Sequence, residues 1–138
     1  MRIVLTAGLA ALASCTATPQ EAARAAADSA DQQARLEREL AGLTPGEPSN
    51  CLPTTSRPTL NSDVYGSTIL FTASRDLKYR NDTTGGCEAA RNDRAALIAS
   101  TPIGRLCRGD IVQVVDPVAR IPLGNCALGD FVPYRRGS

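Results

Sequence analysis

The sequence predicts a mainly β fold, a small disulfide-braced antiparallel barrel or sandwich preceded by an Ala-rich helix. Three observations carry that expectation. From Cys51 onward, short runs of β-branched and aromatic residues recur between turn residues. Four cysteines, Cys51, Cys87, Cys107 and Cys126, lie in the same stretch. Residues 19–43, in contrast, contain no aromatic and no β-branched residue and consist largely of Ala, Glu, Arg, Gln and Leu, a helix-favouring composition.

The helix is expected from Pro19 to Ala41, about 34 Å long at 1.5 Å per residue. Thr18 and Glu21 have capping-box spacing with proline at the first helical position, and Gly42 and Pro45 supply the stop. Arg24 with Asp28, and Asp31 with Arg35, stand four apart and can pair on one face. Leu36, Leu40 and Leu43 make a short apolar stripe that could dock on the domain or on another helix. Upstream the equivalent positions are Ala, Ser or Gln, too weak a pattern for a coiled coil. A frayed, solvated linker is the alternative, because isolated helices are marginal. Residues 44–50, TPGEPSN, read as the boundary. The expected organisation is a signal peptide over 1–14, an anchor, helical tether and linker over 15–50, and a β domain over 51–138.

Within that domain TILFT (68–72), LKYR (77–80), DIVQVV (110–115) and FVPY (131–134) read as strands. Ser74, Arg75 and Asp76 could join the first two as a hairpin, and DTTGG (82–86) is a turn. In LKYR, Lys78 and Arg80 would share one face and point to water. EAARNDRAALIAS (88–100) fits either a helix or a loop leading into a strand.

An even number of cysteines in a small exported domain reads as a disulfide framework. Of three connectivities, the preferred one joins Cys51 to Cys126, tying the ends of the domain, and Cys87 to Cys107, pinning the ambiguous loop. The cysteines show no CxxC spacing and the chain has no histidine, so structural zinc and thiol redox chemistry are set aside.

Residues 1–15, MRIVLTAGLAALASC, place Arg2 before an apolar stretch too short to span a bilayer, followed by small residues. Leu12-Ala13-Ser14-Cys15 resembles the lipobox of bacterial lipoproteins. That resemblance implies cleavage before Cys15, lipidation of its thiol and a stable membrane anchor through several acyl chains. An ordinary secretory peptide with Cys15 incidental is the alternative. Thr16, in place of the Asp that retains lipoproteins at the inner membrane, implies the outer membrane, with the domain facing the periplasm.

The charge balance is 15 Lys+Arg against 14 Asp+Glu, which offers no excess for gripping a phosphate backbone. Nucleic acid is not an expected partner. With no histidine, Ser/His and Cys/His nucleophile pairs are excluded. Glu88, Asp93, Asp110 and Asp130 could supply a pair of catalytic carboxylates, yet no spacing singles out a pair. Arg108-Gly109-Asp110 spells an adhesion tripeptide but reads as a turn feeding a strand, and the sequon Asn81-Asp82-Thr83 reads as part of a turn.

The order CLP, TILF, KYRN, GGC, RLCRGD and NCALGDF resembles a family of small proteobacterial exported proteins and lipoproteins built on a domain of unknown function. The resemblance runs from Cys51 to Tyr134 and is most specific at Leu106–Asp110 and Cys126–Phe131. It implies a structural role for the four cysteines and supplies no activity, cofactor or partner. The expectation is a noncatalytic envelope lipoprotein, without cofactor, whose β domain meets a periplasmic protein. An inhibitor or small-ligand-binding module is the alternative, and an enzyme using paired carboxylates a more remote one.

Overall fold

In the computed structural model, residues 17–53 and 60–137 are described. Cys15, where the lipid anchor is expected, lies outside the described residues. The chain is mainly β: helix α1 (Pro19–Leu40) precedes eight strands in two antiparallel sheets. The larger sheet contains β1 (Leu43–Pro45), β2 (Asn61–Tyr65), β3 (Thr68–Ser74), β4 (Leu77–Asp82) and β8 (Phe131–Arg136), in the order β1-β8-β4-β3-β2. The smaller contains β5 (Ala96–Ala99), β6 (Ile111–Val115) and β7 (Pro122–Ala127), in chain order. Among the described residues neither sheet closes on itself, and the architecture is two packed antiparallel sheets.

One core lies between the sheets. Ile69 and Phe71 of β3, Tyr79 of β4 and Phe131 of β8 face Val112 and Val114 of β6, with Leu52, Ala90 and Leu128 filling the periphery. Phe71 and Phe131 meet with ring centroids 5.7 Å apart and planes tilted by 47°, an arrangement favoured by the ring quadrupoles. β3 is buried continuously from Thr68 to Phe71 and not in alternation. A strand buried on both faces needs a cover on each side.

The second cover is α1. Its capping box forms as the sequence predicts: the Glu21 amide donates to Thr18 Oγ1 at 3.3 Å and the Thr18 amide to Glu21 Oε2 at 2.8 Å. Asp31 pairs with Arg35 at 2.9 Å, whereas Asp28 reaches across to Arg91. Gln32 and Leu36 are buried. Lys78 Nζ donates to the Glu39 carbonyl at 2.9 Å and contacts its carboxylate at 2.5 Å. Lys78 was expected to face water; it is 9% exposed because the helix lies over it. Strand register puts Lys78 opposite Thr72, and Arg80 opposite Leu70, so these side chains share the outer face that α1 covers. The helix is therefore a layer of the structure and not a free rod.

The expected linker is also corrected. Leu43–Pro45 pairs with Tyr134–Arg136 as β1, the Gly46 amide donates to the Pro133 carbonyl at 2.7 Å, and Ser49 bridges Phe131. Pro45 and Pro48 suit this position because edge backbone tolerates a missing donor. The ambiguous stretch resolves into a 3-10 helix, Glu88–Asp93, followed by β5. Asn81 lies in β4, not in a turn, and is fully buried.

All four cysteines form disulfides, but the preferred pairing is wrong: Cys51 joins Cys107 and Cys87 joins Cys126. Local backbone pairing decides it. The Leu52 amide donates to the Leu106 carbonyl at 2.8 Å and the Arg108 amide to the Asn50 carbonyl at 2.7 Å, which sets Cys51 opposite Cys107. At the other bridge, Gly86 and Gly124 let two backbones cross. A Cβ on Gly86, at φ +102°, would stand 2.2 Å from the Asn125 carbonyl oxygen. The bridges close overlapping loops with sequence separations of 56 and 39, each contributing about 4 kcal/mol in the chain-entropy model.

Candidate functional site

The two sheets differ in what covers their outer faces. α1 covers the large sheet, whereas the outward residues of the small one, Ile98, Ile111, Gln113 and Asn125, are exposed. Register defines that bare face. Ile98 stands opposite Gln113, Gln113 opposite Asn125, and Ile111 opposite Ala127. Val112 and Val114, the alternate residues of β6, point into the core. Ile98 and Ile111 are about half exposed, at 50% and 52%.

The β6–β7 hairpin extends the apolar surface. Ile121 is exposed, as is Leu123, the extra residue where the register shifts opposite Val114 and Val115. Val118 at its tip is 90% exposed. The tip is firmly built. Asp116 Oδ1 accepts from the amides of Val118 and Ala119, each at 2.8 Å, and the Arg120 amide donates to the Asp116 carbonyl at 2.8 Å. Those amides, Ala119 first, hold the Asp116 carboxyl below its usual range. With Ile103 in the β5–β6 connection, the exposed large aliphatic side chains of the described residues fall between positions 98 and 123.

A cleft of about 450 Å³ opens between the edge strands β2 and β5. Ile69, Phe71, Leu97, Leu106 and Val112 supply much of its wall, and Ser62 and Thr101 are its polar side chains. Among the described residues no charged side chain lines it.

Three of the carboxylates singled out in the sequence, Glu88, Asp110 and Asp130, have local partners. Glu88 Oε2 accepts from the Gly86 amide at 2.7 Å, and Asp110 Oδ2 accepts from the Cys107 amide at 2.8 Å. Arg108 Nη1 stands 3.4 Å from both oxygens of Asp130. The side chain of Asp93 lies outside the described residues. Asp82, which sequence reasoning did not select, lines a shallow pocket with Asp130 and Arg108. Its Oδ1 already accepts from Thr68 Oγ1 at 2.6 Å and from Arg80 Nε at 3.0 Å. Gly109, at φ +87°, makes the Arg108–Asp110 tripeptide a turn into β6. Among the described residues no group of three His, Cys, Asp or Glu is placed to hold a metal ion, and no helix is long and apolar enough to cross a membrane.

Sequence reasoning missed the bare face because DIVQVV is apolar at four of six positions, the signature of a strand covered on both sides. Here one of those sides is uncovered. No family model, curated protein or solved structure matches the chain, so the family resemblance rests on the quoted residues alone.

Proposed function

We propose that this chain is a noncatalytic lipoprotein of the bacterial cell envelope. It is anchored through Cys15 at the outer membrane, and its β domain offers the bare face of the small sheet to a periplasmic protein. The exposed Ile98 and Ile111 of that face, with Val118, Ile121 and Leu123 along the adjoining hairpin, carry this reading, because exposed aliphatic side chains clustered in one region of a domain mark an interaction surface. The rigid hairpin supports it, since a tip held by Asp116 docks with little loss of entropy. The small-ligand alternative draws on the cleft. Ser62 and Thr101 give that cleft few polar groups with which to orient a small molecule.

The test is photo-crosslinking in intact cells, with a photoreactive amino acid at Ile111 or Val118 and at Arg75 as the control. A discrete adduct from the first two positions and none from the third is expected. Equal, diffuse labelling from all three would remove the reading. Membrane fractionation of Cys15→Ser tests the anchor separately, and unchanged membrane association in that variant would defeat it.

A further inference from the structure

We propose that the seam between β2 and β5 takes an extended, uncharged peptide segment, which adds to β5 as a fourth strand of the small sheet. This deepens the partner-binding reading, on which it rests, by naming the mode in which a partner segment is held.

Four strands end the two sheets, and three are guarded against further pairing. β1 is three residues long and ends in Pro45, β7 begins with Pro122, and β2 carries Asp63 at its centre. Short length, proline and inward or central charge are the devices by which edges resist addition. β5, though only four residues long, has neither proline nor charge. Its sequence is Ala-Leu-Ile-Ala, and among the described residues it pairs with β6 alone. Among the described residues nothing pairs with its second edge, whose backbone donors and acceptors an added strand would satisfy.

The side-chain environment on either side of that edge agrees. Leu97 and Ala99 line the cleft, and Ile98 points to the bare outer face. A strand laid beside β5 alternates in the same way, so every second residue enters the cleft against Ile69, Phe71 and Leu106. Those residues are selected to be bulky and apolar. The cleft volume falls within the range of built binding sites, and among the described residues its lining offers no partner for a charged side chain, whose burial unpaired is costly. The other row of the added strand extends the apolar surface beside Ile98.

The experiment uses the oxidised mature protein and four fluorescein-labelled heptapeptides, each alternating Thr with Val, Ile, Leu or Phe. Fluorescence anisotropy should show at least one binding with Kd on the order of 10 µM. The same peptide N-methylated at alternate amides should lose binding, because it cannot complete the ladder. Ala99→Lys, which puts a charge at an exposed position on the cleft wall, should weaken binding tenfold or more, whereas Arg75→Ala should leave it unchanged. In the complex, β5 amides should gain protection from hydrogen exchange. No binding of any of the four at millimolar concentration, or equal binding of the N-methylated peptide, overturns the proposal. An Ile111 crosslink without peptide binding removes strand addition and leaves the partner reading standing. Peptide binding without that crosslink does the reverse.

Discussion

Asn81 and Gly129 exchange two hydrogen bonds: the side-chain amide donates to the Gly129 carbonyl at 2.8 Å, and the Gly129 amide donates back to the side-chain oxygen at 2.9 Å. Asn81 thus behaves as an extra peptide unit, closing the turn between β7 and β8 against β4. Gly129 must be glycine for this. A Cβ there would stand 2.2 Å from the Asp82 carbonyl oxygen.

Replacing Asn81 by Ala should leave the amide and carbonyl of Gly129 without partners in a partly buried site. Unsatisfied groups cost about 1–3 kcal/mol each, so a loss of about 2–5 kcal/mol is expected from urea unfolding. A change below about 1 kcal/mol would mean that water replaces the side chain. Because Asn81 is fully buried, glycosylation at this sequon is expected only on unfolded chains.

The disulfide pairing gives a second prediction. Peptide mapping of the native protein without reduction should recover Cys51 with Cys107 and Cys87 with Cys126. Gly86→Ala should selectively impair the second bridge, since the crossing backbones cannot approach past a Cβ. Normal yields of both bridges in that variant would show that the crossing relaxes easily.

The strands around TILFT, LKYR, DIVQVV and FVPY were legible because their composition and turn punctuation agree, and so was the capping box at Thr18. The disulfide pairing was not. Loop-length reasoning looked at where the cysteines fall along the chain, whereas Asn50–Leu52 against Leu106–Arg108 is a nonlocal pairing with no sequence signal. The role of α1 was hidden for a related reason. Lys78 looks like a solvent residue until Glu39 arrives from 39 positions away. The bare sheet face was illegible because an apolar strand states how much surface it can bury and not whether a cover exists.

The docked helix yields a third prediction. Leu36 is 1% exposed, and Leu36→Ala should destabilise the whole protein by about 2–5 kcal/mol. A fragment beginning at Cys51 lacks both β1 and the helix, exposing Leu70 and leaving Lys78 without Glu39. It should melt at lower temperature and less cooperatively than a fragment beginning at residue 17. Identical melts would show that the helix adds nothing to the core.

The last prediction concerns pH at the helix start. The Thr18 amide, and then its hydroxyl, hold the Glu21 carboxyl below its ordinary value of 4.5. A carboxyl whose pKa is lower in the folded chain stabilises the cap fully above its unfolded value and loses that contribution as pH falls through the folded one. Hydrogen exchange of the first-turn amides should therefore quicken, after correction for intrinsic rates, as pH drops below about 4.5. Amides near Leu36, sealed against the sheet, should not respond over that interval. Glu21→Ala should remove the pH response, whereas Glu21→Gln should remove it and retain part of the cap, because a neutral amide still accepts from the Thr18 backbone. A first turn that frays to the same extent at pH 7 and pH 3 in the wild type would show that proline and Thr18 alone set the helix start.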